Sequence, residues 1–235
     1  MNLDFSRRAA AALQELDSSY IDGMLLALAN KLEAEAPALL EANAADLSAL
    51  EPSDPMRDRL TLTPRRIADI SAGLRNVAVL PSPLGITLES FQRPNGMLIR
   101  KVSVPFGVIG AIFEARPNVI FDIFAICIKA GSACVLKGGH KAAATNSAAI
   151  EIIRETLAEQ GIDPDTAVLA CGHEDTDELL QAVGKIDVII PRGGRKLIDY
   201  VRRNARVPVI ETGAGVCHTY FHSSGDIATG RDIIY

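Results

Sequence analysis

The sequence contains no tryptophan, and its aromatic residues make up only 5% of the chain. So few aromatic side chains leave little material for stacking on bases, and a formal net charge of -5 gives no general attraction to nucleic acid. We therefore expect no nucleic-acid partner. The sequence also lacks a long apolar run, since charged residues interrupt its most apolar stretch, 104–136. With no signal peptide at the N-terminus, this predicts a cytoplasmic protein with no membrane partner.

Motifs for metals and for common nucleotide-binding folds are missing as well. The four cysteines, Cys127, Cys134, Cys171 and Cys217, contain no CxxC pair and no histidine at zinc-site spacing, so we predict no metal. Three of them lie in apolar stretches, where a cysteine usually behaves as a small hydrophobic residue. Neither the dinucleotide fingerprint GxGxxG nor a P-loop is present, so any nucleotide must be held in another way.

Hydrophobic residues, by contrast, are abundant and make up 48% of the 235 residues. They are enough to form a buried core, which excludes a disordered chain. Residues 1–80 predict a layer of helices, because apolar residues recur every three to four positions. Within this range Thr63 and Pro64 supply an N-cap and a first-turn proline. Residues 81–104 predict a β-hairpin turning at Asn95-Gly96, since both residues tolerate positive φ.

Residues 105–235 alternate between short β-rich runs and helical stretches. This pattern indicates βαβ units, and therefore an α/β fold with a Rossmann-like parallel sheet, flanking helices and the hairpin as an appendage. The predicted strands are Val108–Phe113, Ala133–Lys137, Ala167–Ala170, Asp187–Ile190 and Val207–Glu211. The predicted helices lie near 118–130, 142–159, 176–183 and 195–205.

Two loops that follow predicted strands combine glycines with cations at a helix entry. Ligands bind at the carboxyl ends of strands in such sheets, and glycines let backbone amides approach an anion. The alternative is that each Gly-Gly pair only makes a tight turn. Two such loops in one sheet favour a nucleotide or phosphate ligand. The loops are Lys137–Lys141 and Pro191–Arg195.

Two further positions invite a catalytic interpretation. Asn118 begins a helix after a strand, where its amide is placed either to donate to an oxyanion or simply to cap the helix. Cys217 has the chemistry of a nucleophile, with His218 beside it as a base. Adjacent residues of an extended segment point to opposite sides, however, so a structural role for Cys217 is favoured.

Taken together, the motifs resemble the gamma-glutamyl phosphate reductases, a family of the aldehyde dehydrogenase superfamily. The resemblance covers nearly the whole chain. It rests on Asp58–Leu60 with Leu62-Thr63, Val104–Gly110, Glu114–Val119, Ala130–Gly139, Ile189–Gly194, Val207–Ile210 and Gly213–His218.

The resemblance implies an aldehyde dehydrogenase-like cofactor domain and NADPH-dependent reduction of L-glutamyl 5-phosphate to L-glutamate 5-semialdehyde. The acyl phosphate is a small-molecule substrate, and phosphate leaves through a cysteine thioester. A homo-oligomer is also implied for the full-length enzyme, with the hairpin Leu88–Val102 as the edge at which copies associate. The preference for NADP rests on the family, although His140 and Lys141 are candidates to reach its 2′-phosphate.

The resemblance also assigns residues. Lys137 matches the superfamily lysine at the adenosine end of the cofactor, and Asn118 matches the oxyanion-hole asparagine. Glu211 stands where hydrolytic relatives have a general base, which a reductase does not need. The residues implied to bind the cofactor are Lys137, Gly138, Gly139, His140, Arg192, Gly193 and Gly194.

One departure from the family is large. Its nucleophile lies in a Pro-Ser-(Val or Thr)-Cys-Asn motif, which is absent here and expected shortly after Tyr235; Cys217 belongs to a different motif. We therefore expect the chain to be the N-terminal portion of the enzyme and to be inactive alone. The alternatives are an acylating aldehyde dehydrogenase with another substrate and a non-catalytic nucleotide-binding fragment.

Overall fold

The computed structural model describes residues 3–114, 116–211 and 218–234. The helices are α1 Leu3–Leu13, α2 Ser18–Ala34, α3 Ala36–Ser48, α4 Arg57–Leu60, α5 Pro64–Ala78, α6 Val119–Lys129, α7 Ala143–Glu159, α8 His173–Gln181, α9 Arg195–Asn204 and α10 Ile227–Ile234. The strands are β1 Thr87–Gln92, β2 Leu98–Val102, β3 Val108–Phe113, β4 Ala133–Lys137, β5 Ala167–Ala170 and β6 Val188–Arg192. Short 3₁₀ turns span His140–Ala142 and Pro164–Thr166.

Four strands form a parallel sheet in the order β5-β4-β3-β6, which confirms the predicted α/β class. The central strand β3 is buried at all six positions because helices cover both faces of the sheet. Ile109 and Phe113 face a core built with α2, α5, α6 and α7, while Val108 and Ile112 face a second core with α1, α8 and α9. The carboxyl ends of the strands therefore meet at one edge, where ligands bind in such sheets.

The predicted strand Val207–Glu211 is wrong. Its contact with the sheet is a single parallel bridge between Val209 and Ile189. In this bridge Ile189 N donates to the Pro208 carbonyl at 2.8 Å, and Ile210 N donates to the Ile189 carbonyl at 2.9 Å. Pro208 has no N–H to donate, so this short stretch cannot extend into a regular ladder.

The helices before residue 80 lie on both sides of the sheet. Helix α2 packs on α5 and α6, whereas α1 packs against β4 on the opposite face. The predicted cap is present, because Thr63 Oγ1 accepts a hydrogen bond from Arg66 N at 3.1 Å. Lys129, at the end of α6, is only 6% exposed, and its ammonium donates to Asp22 on α2 and to the Ala78 carbonyl.

The hairpin β1–β2 is confirmed, but its turn differs from the prediction. The turn is closed by Gly96 N donating to the Arg93 carbonyl at 2.9 Å, and Gly96 has a φ of 84°. Among the described residues no residue other than glycine has positive φ, so Asn95 does not. Pro94 fixes a negative φ at the first central position, which selects a type I turn followed by a left-handed glycine.

Asp46 on α3 caps the N-terminus of α7, the helix that follows the loop after β4. Its carboxylate accepts from Ala144 N at 3.0 Å, from Thr145 N at 2.8 Å and from Thr145 Oγ1 at 2.6 Å. First-turn amides have no partner within their own helix, so this carboxylate satisfies them from another element.

Replacing Asp46 by alanine should lower the free energy of unfolding by about 1 kcal/mol, the usual value of an N-terminal cap. Urea denaturation followed by circular dichroism measures this change. Glu41, exposed on the same helix, gives the matched control Glu41→Ala, which should change stability by less than about 0.5 kcal/mol. Equal stabilities for the two variants would contradict the capping role.

Candidate functional site

Three neighbouring clefts open at the carboxyl edge of the sheet. The largest, here called the Lys137 cleft, has a volume of about 790 Å³ and lies between the β3 and β4 loops and helices α8 and α9. Lys137, Gly138, Gly139 and His140 all line it, so the structure brings together the predicted residues of the first Gly-Gly loop. Its remaining lining residues include Cys171, Gly172, Thr176, Asp177, Lys196, Leu197 and Tyr200.

The Lys137 side chain lies partly buried against its own loop. Its Nζ donates to the Gly138 carbonyl at 2.8 Å. Burial lowers the pKa of Lys137 from its ordinary value, and the nearby Cys171 and Asp175 side chains act in the opposite direction. The Asp175 carboxylate accepts from the backbone amides of Cys171 and Gly172, so the chain itself already uses these α8 N-terminal donors.

The glycines of both loops make room for the chain's own side chains. A Cβ on Gly138 would lie 2.2 Å from Asn146 Nδ2, and one on Gly193 would lie 2.7 Å from Glu114 Cδ. Sequence reasoning assigned these glycines to the close approach of an anion. The structure gives them an internal packing role that exists whether or not an anion binds.

The second cleft, here called the Arg192 cleft, has a volume of about 430 Å³ and adjoins the first. Arg192, Gly193 and Gly194 line it together with Glu114, which also lines the Lys137 cleft. Glu114 N donates to the Arg192 carbonyl at 3.2 Å, and the Glu114 carbonyl accepts from Gly139 N at 3.4 Å. Glu114 therefore connects the two Gly-Gly loops, a role that sequence reasoning missed; its position directly after β3 was the available signal.

The third cleft, here called the Asn118 cleft, has a volume of about 370 Å³. Asn118 lines this cleft and neither of the two that the Gly-Gly loops line. Its Nδ2 donates to Asp122 Oδ2 at 2.9 Å. Its side chain makes no capping hydrogen bond to α6, so simple N-capping does not explain this residue. Partial burial raises the pKa of Asp122 from its ordinary value, while the bond from Asn118 lowers it. Two arginines that sequence reasoning missed, Arg59 and Arg116, line both this cleft and the Arg192 cleft.

Of the three cysteines that the structure describes, two are buried in the core and one lines a cleft. Cys127 and Cys134 are free thiols buried in the core, and the hydrogen bond between them, together with burial, raises the pKa of Cys134. Cys171 is free and exposed at the Lys137 cleft. Cys217 lies outside the described residues, and its neighbour His218 is exposed.

Two negative findings concern the described residues only. No group of three or more histidine, cysteine, aspartate or glutamate side chains is placed there to hold a metal ion. None of the helices in those ranges combines the length and the apolar character needed to cross a bilayer.

Comparison with solved structures first defines the class of the fold. A propionaldehyde dehydrogenase from Clostridium phytofermentans superposes with a TM-score of 0.68 at 18% identity, covering 91% of this chain and 46% of that chain. A scan against protein-family models gives no match. The helix-flanked parallel sheet is thus the fold found in aldehyde dehydrogenase-like proteins.

A closer likeness identifies the relatives. The gamma-glutamyl phosphate reductase of Thermotoga maritima superposes with a TM-score of 0.88 at 32% identity, covering 99% of this chain and 57% of that chain. Curated relatives with the same name are 54% identical over 230 residues in Phocaeicola vulgatus and 50% identical over 235 residues in Chlorobaculum parvum. Over nearly its whole length the chain is thus similar to gamma-glutamyl phosphate reductases, which confirms the resemblance read from its motifs. It spans about 55% of the length of the curated relatives it matches.

Proposed function

We propose that this chain carries the cofactor-binding part of an NADP-dependent glutamate-5-semialdehyde dehydrogenase. The reaction is the reduction of L-glutamyl 5-phosphate to L-glutamate 5-semialdehyde, with release of phosphate. Identity of about half the residues to reductases of this name supports it. Acylating aldehyde dehydrogenases with other substrates receive less support, since their likeness to this chain is limited to the fold.

The observation that carries the proposal is the chemical make-up of the Lys137 cleft. Leu197 and Tyr200 of α9 give it an apolar wall, while Lys137, His140 and Lys196 give it cationic or protonatable groups. An apolar wall suits an adenine ring, and cations suit the ribose and phosphates attached to it. These residues fit the adenosine end of a nicotinamide dinucleotide, which when bound supplies the hydride.

The 2′-phosphate that distinguishes NADP from NAD needs a cation of its own. Lys141 was a candidate from sequence, but its Nζ lies 2.6 Å from Asp54 Oδ2 in an ion pair. His140 and Lys196 line the same cleft and have no ion-pair partner in the part of the chain that the structure describes. We therefore assign discrimination between NADP and NAD to these two residues.

Arg192, Gly193 and Gly194 are assigned to the phosphates of the dinucleotide. Arg192 supplies positive charge, and the two glycines precede the N-terminus of α9, which adds a partial positive charge. The Glu114 side chain packs against Gly193 and opposes an anion there. Arg192 and the end of α9 must outweigh this carboxylate when a phosphate binds.

Asn118 is assigned to the acyl oxygen of the substrate. A carboxamide nitrogen has two hydrogens to donate, and Asp122 accepts one of them. The second remains for an oxyanion, while Asp122 fixes the orientation of the amide. Asp122 is thus a positioning residue for Asn118.

The organisation of the chain completes the proposal. In this proposal residues 1–80 supply N-terminal helices of the cofactor domain on both faces of the sheet, 81–104 the hairpin arm, and 105–235 the dinucleotide-binding α/β domain. Leu88, Phe91 and Leu98 of the hairpin are exposed apolar side chains, which favours its use as a contact between copies in a homo-oligomer. A biosynthetic reaction of this kind also favours a cytoplasmic location.

Replacing Lys137 by alanine should weaken NADPH binding at least tenfold, since about 1.4 kcal/mol of interaction is lost at the adenosine end. Fluorescence or calorimetric titration of the purified chain measures the dissociation constant. Lys101→Ala, an exposed lysine in the hairpin strand β2, is the matched control and should bind like the parent chain. Unchanged affinity in Lys137→Ala would refute the assigned contact.

A further inference from the structure

The Asn118 cleft contains charged groups that the fold does not use. The Arg66 guanidinium is already occupied by hydrogen bonds within the chain. Its Nη1 donates to the carbonyls of Asp58 and Thr61 at 2.6 and 2.5 Å, and its Nη2 contacts Asp58 Oδ1 at 3.3 Å. Arg59, Arg116 and Asp69 line the same cleft. Within the described residues, none of these three has a hydrogen-bond or ion-pair partner.

These three side chains are carried by separate, well-anchored elements. The segment that bears Arg59 is held by Asn43, whose Nδ2 donates to the Leu60 carbonyl at 2.8 Å and whose Oδ1 accepts from Leu62 N at 2.7 Å. Asp69 lies on α5, which is fixed in the core by buried Ile67 and Leu74. Arg116 lies three positions after the end of β3, and its carbonyl accepts a hydrogen bond from Val119 N at 3.1 Å at the start of α6. Rigid supports reduce the entropy lost when a ligand is bound.

The signs of the free charges define the ligand. Two guanidinium groups suit a carboxylate, and the free carboxylate of Asp69 suits an ammonium group. A phosphate dianion alone would be repelled by Asp69 and by the neighbouring Asp58 and Asp122. The cleft therefore favours a zwitterion over a simple anion.

Its position beside Asn118 agrees with the size of such a ligand. In a glutamyl substrate the α-carbon lies three carbon–carbon bonds from the acyl carbon, a span of about 4 Å for bonds of about 1.5 Å. A residue that contacts the acyl oxygen must then share its cleft with the residues that contact the α-substituents. Asn118, Arg116, Arg59 and Asp69 meet that requirement.

We propose that the Asn118 cleft binds the α-amino-acid head group of the substrate, with Arg59 and Arg116 on the α-carboxylate and Asp69 on the α-ammonium. This inference rests on the proposed function for the identity of the substrate. It assigns the selectivity for an amino acid over a plain dicarboxylic acid to residues of this chain.

The test is a ligand-detected NMR titration of the 235-residue chain with L-glutamate and with glutarate, which lacks the ammonium group. We expect L-glutamate to bind more tightly than glutarate, and Arg59→Gln and Arg116→Gln each to weaken L-glutamate binding at least tenfold. Asp69→Asn should remove the preference for L-glutamate over glutarate. Arg65→Gln, on the exposed side of α5 and outside the cleft, is the control and should change nothing.

Four results would overturn the proposal: no L-glutamate binding by the parent chain, equal binding of glutarate, arginine variants that bind like the control, or Arg116-dependent binding of inorganic phosphate without L-glutamate. Thermal unfolding of each variant verifies its fold. A parallel NADPH titration separates this inference from the proposed function. Lys137-dependent NADPH binding without L-glutamate binding rejects the head-group site alone, while the reverse pattern rejects the cofactor assignment alone.

Discussion

Asp22→Ala is expected to lower the free energy of unfolding by about 3 kcal/mol, because it leaves the buried Lys129 ammonium without its counter-ion. The Lys129 side chain is 5% exposed and that of Asp22 is 32% exposed, so the lysine cannot recover full hydration. Its remaining contact is the Ala78 carbonyl at 3.0 Å, at the C-terminal end of α5. The Lys129 ammonium thus joins α6 to α2 through the ion pair and to α5 through the hydrogen bond, three of the helices that cover one face of the sheet.

The measurement is urea denaturation of Asp22→Ala beside Glu155→Ala. Glu155 pairs with Lys31 at 2.9 Å but is 64% exposed, and an exposed pair contributes at most about 1 kcal/mol. The double variant Asp22→Ala/Lys129→Met should recover most of the lost stability, because an apolar side chain needs no counter-ion. A loss below about 1 kcal/mol in Asp22→Ala, or no recovery in the double variant, would show that the pair is not the source of the effect.

Gly138→Ala is expected to reduce NADPH affinity at least tenfold and to lower the free energy of unfolding by about 2 kcal/mol. The added Cβ would lie 2.2 Å from Asn146 Nδ2 and 3.2 Å from Phe113 Cε2. Gly138 and Asn146 are buried, so neither can move away without displacing the loop between β4 and α7. That loop also carries Lys137 and His140, the residues assigned to the cofactor.

Gly172→Ala is the matched control, because it adds the same methyl group to the same cleft. A Cβ on Gly172 has Glu174 N as its nearest neighbour at 3.8 Å, an ordinary contact. In NADPH titration and urea denaturation, Gly172→Ala should therefore behave like the parent chain, whereas Gly138→Ala should bind NADPH more weakly and be less stable. If both bind NADPH like the parent chain, the geometry of the Gly138 loop does not determine cofactor affinity.

Local sequence patterns were sufficient to predict most of the strands and helices that position the site. The bounds predicted for Val108–Phe113, Ala133–Lys137 and Ala167–Ala170 are those of β3, β4 and β5, because short β-branched runs between helices have few alternative structures. The predicted strand Val207–Glu211 failed, since pairing depends on a partner's position and Pro208 limits the ladder to one bridge. The hairpin turn differed because Pro94, ahead of Asn95-Gly96, fixed the turn type.

The candidate site was only partly predictable. Lys137, Gly138, Gly139 and His140 lie together because they are consecutive at the end of one strand. Arg59 and Arg116 are 57 positions apart in the sequence, and no local pattern relates them.

The sequence by itself determined the class of fold and the resemblance to gamma-glutamyl phosphate reductases, because both rest on local patterns and motifs that can be recognised without a three-dimensional arrangement. Only the tertiary structure decided which charged side chains have an ion-pair partner and which, among the described residues, do not. Lys141 is paired with Asp54 and Arg66 with Asp58, whereas Arg59, Arg116 and Asp69 face one cleft with no partner among the described residues. Charge neutralisation depends on distances of a few ångströms between side chains far apart in sequence, and those distances arise only when the helices pack on the sheet.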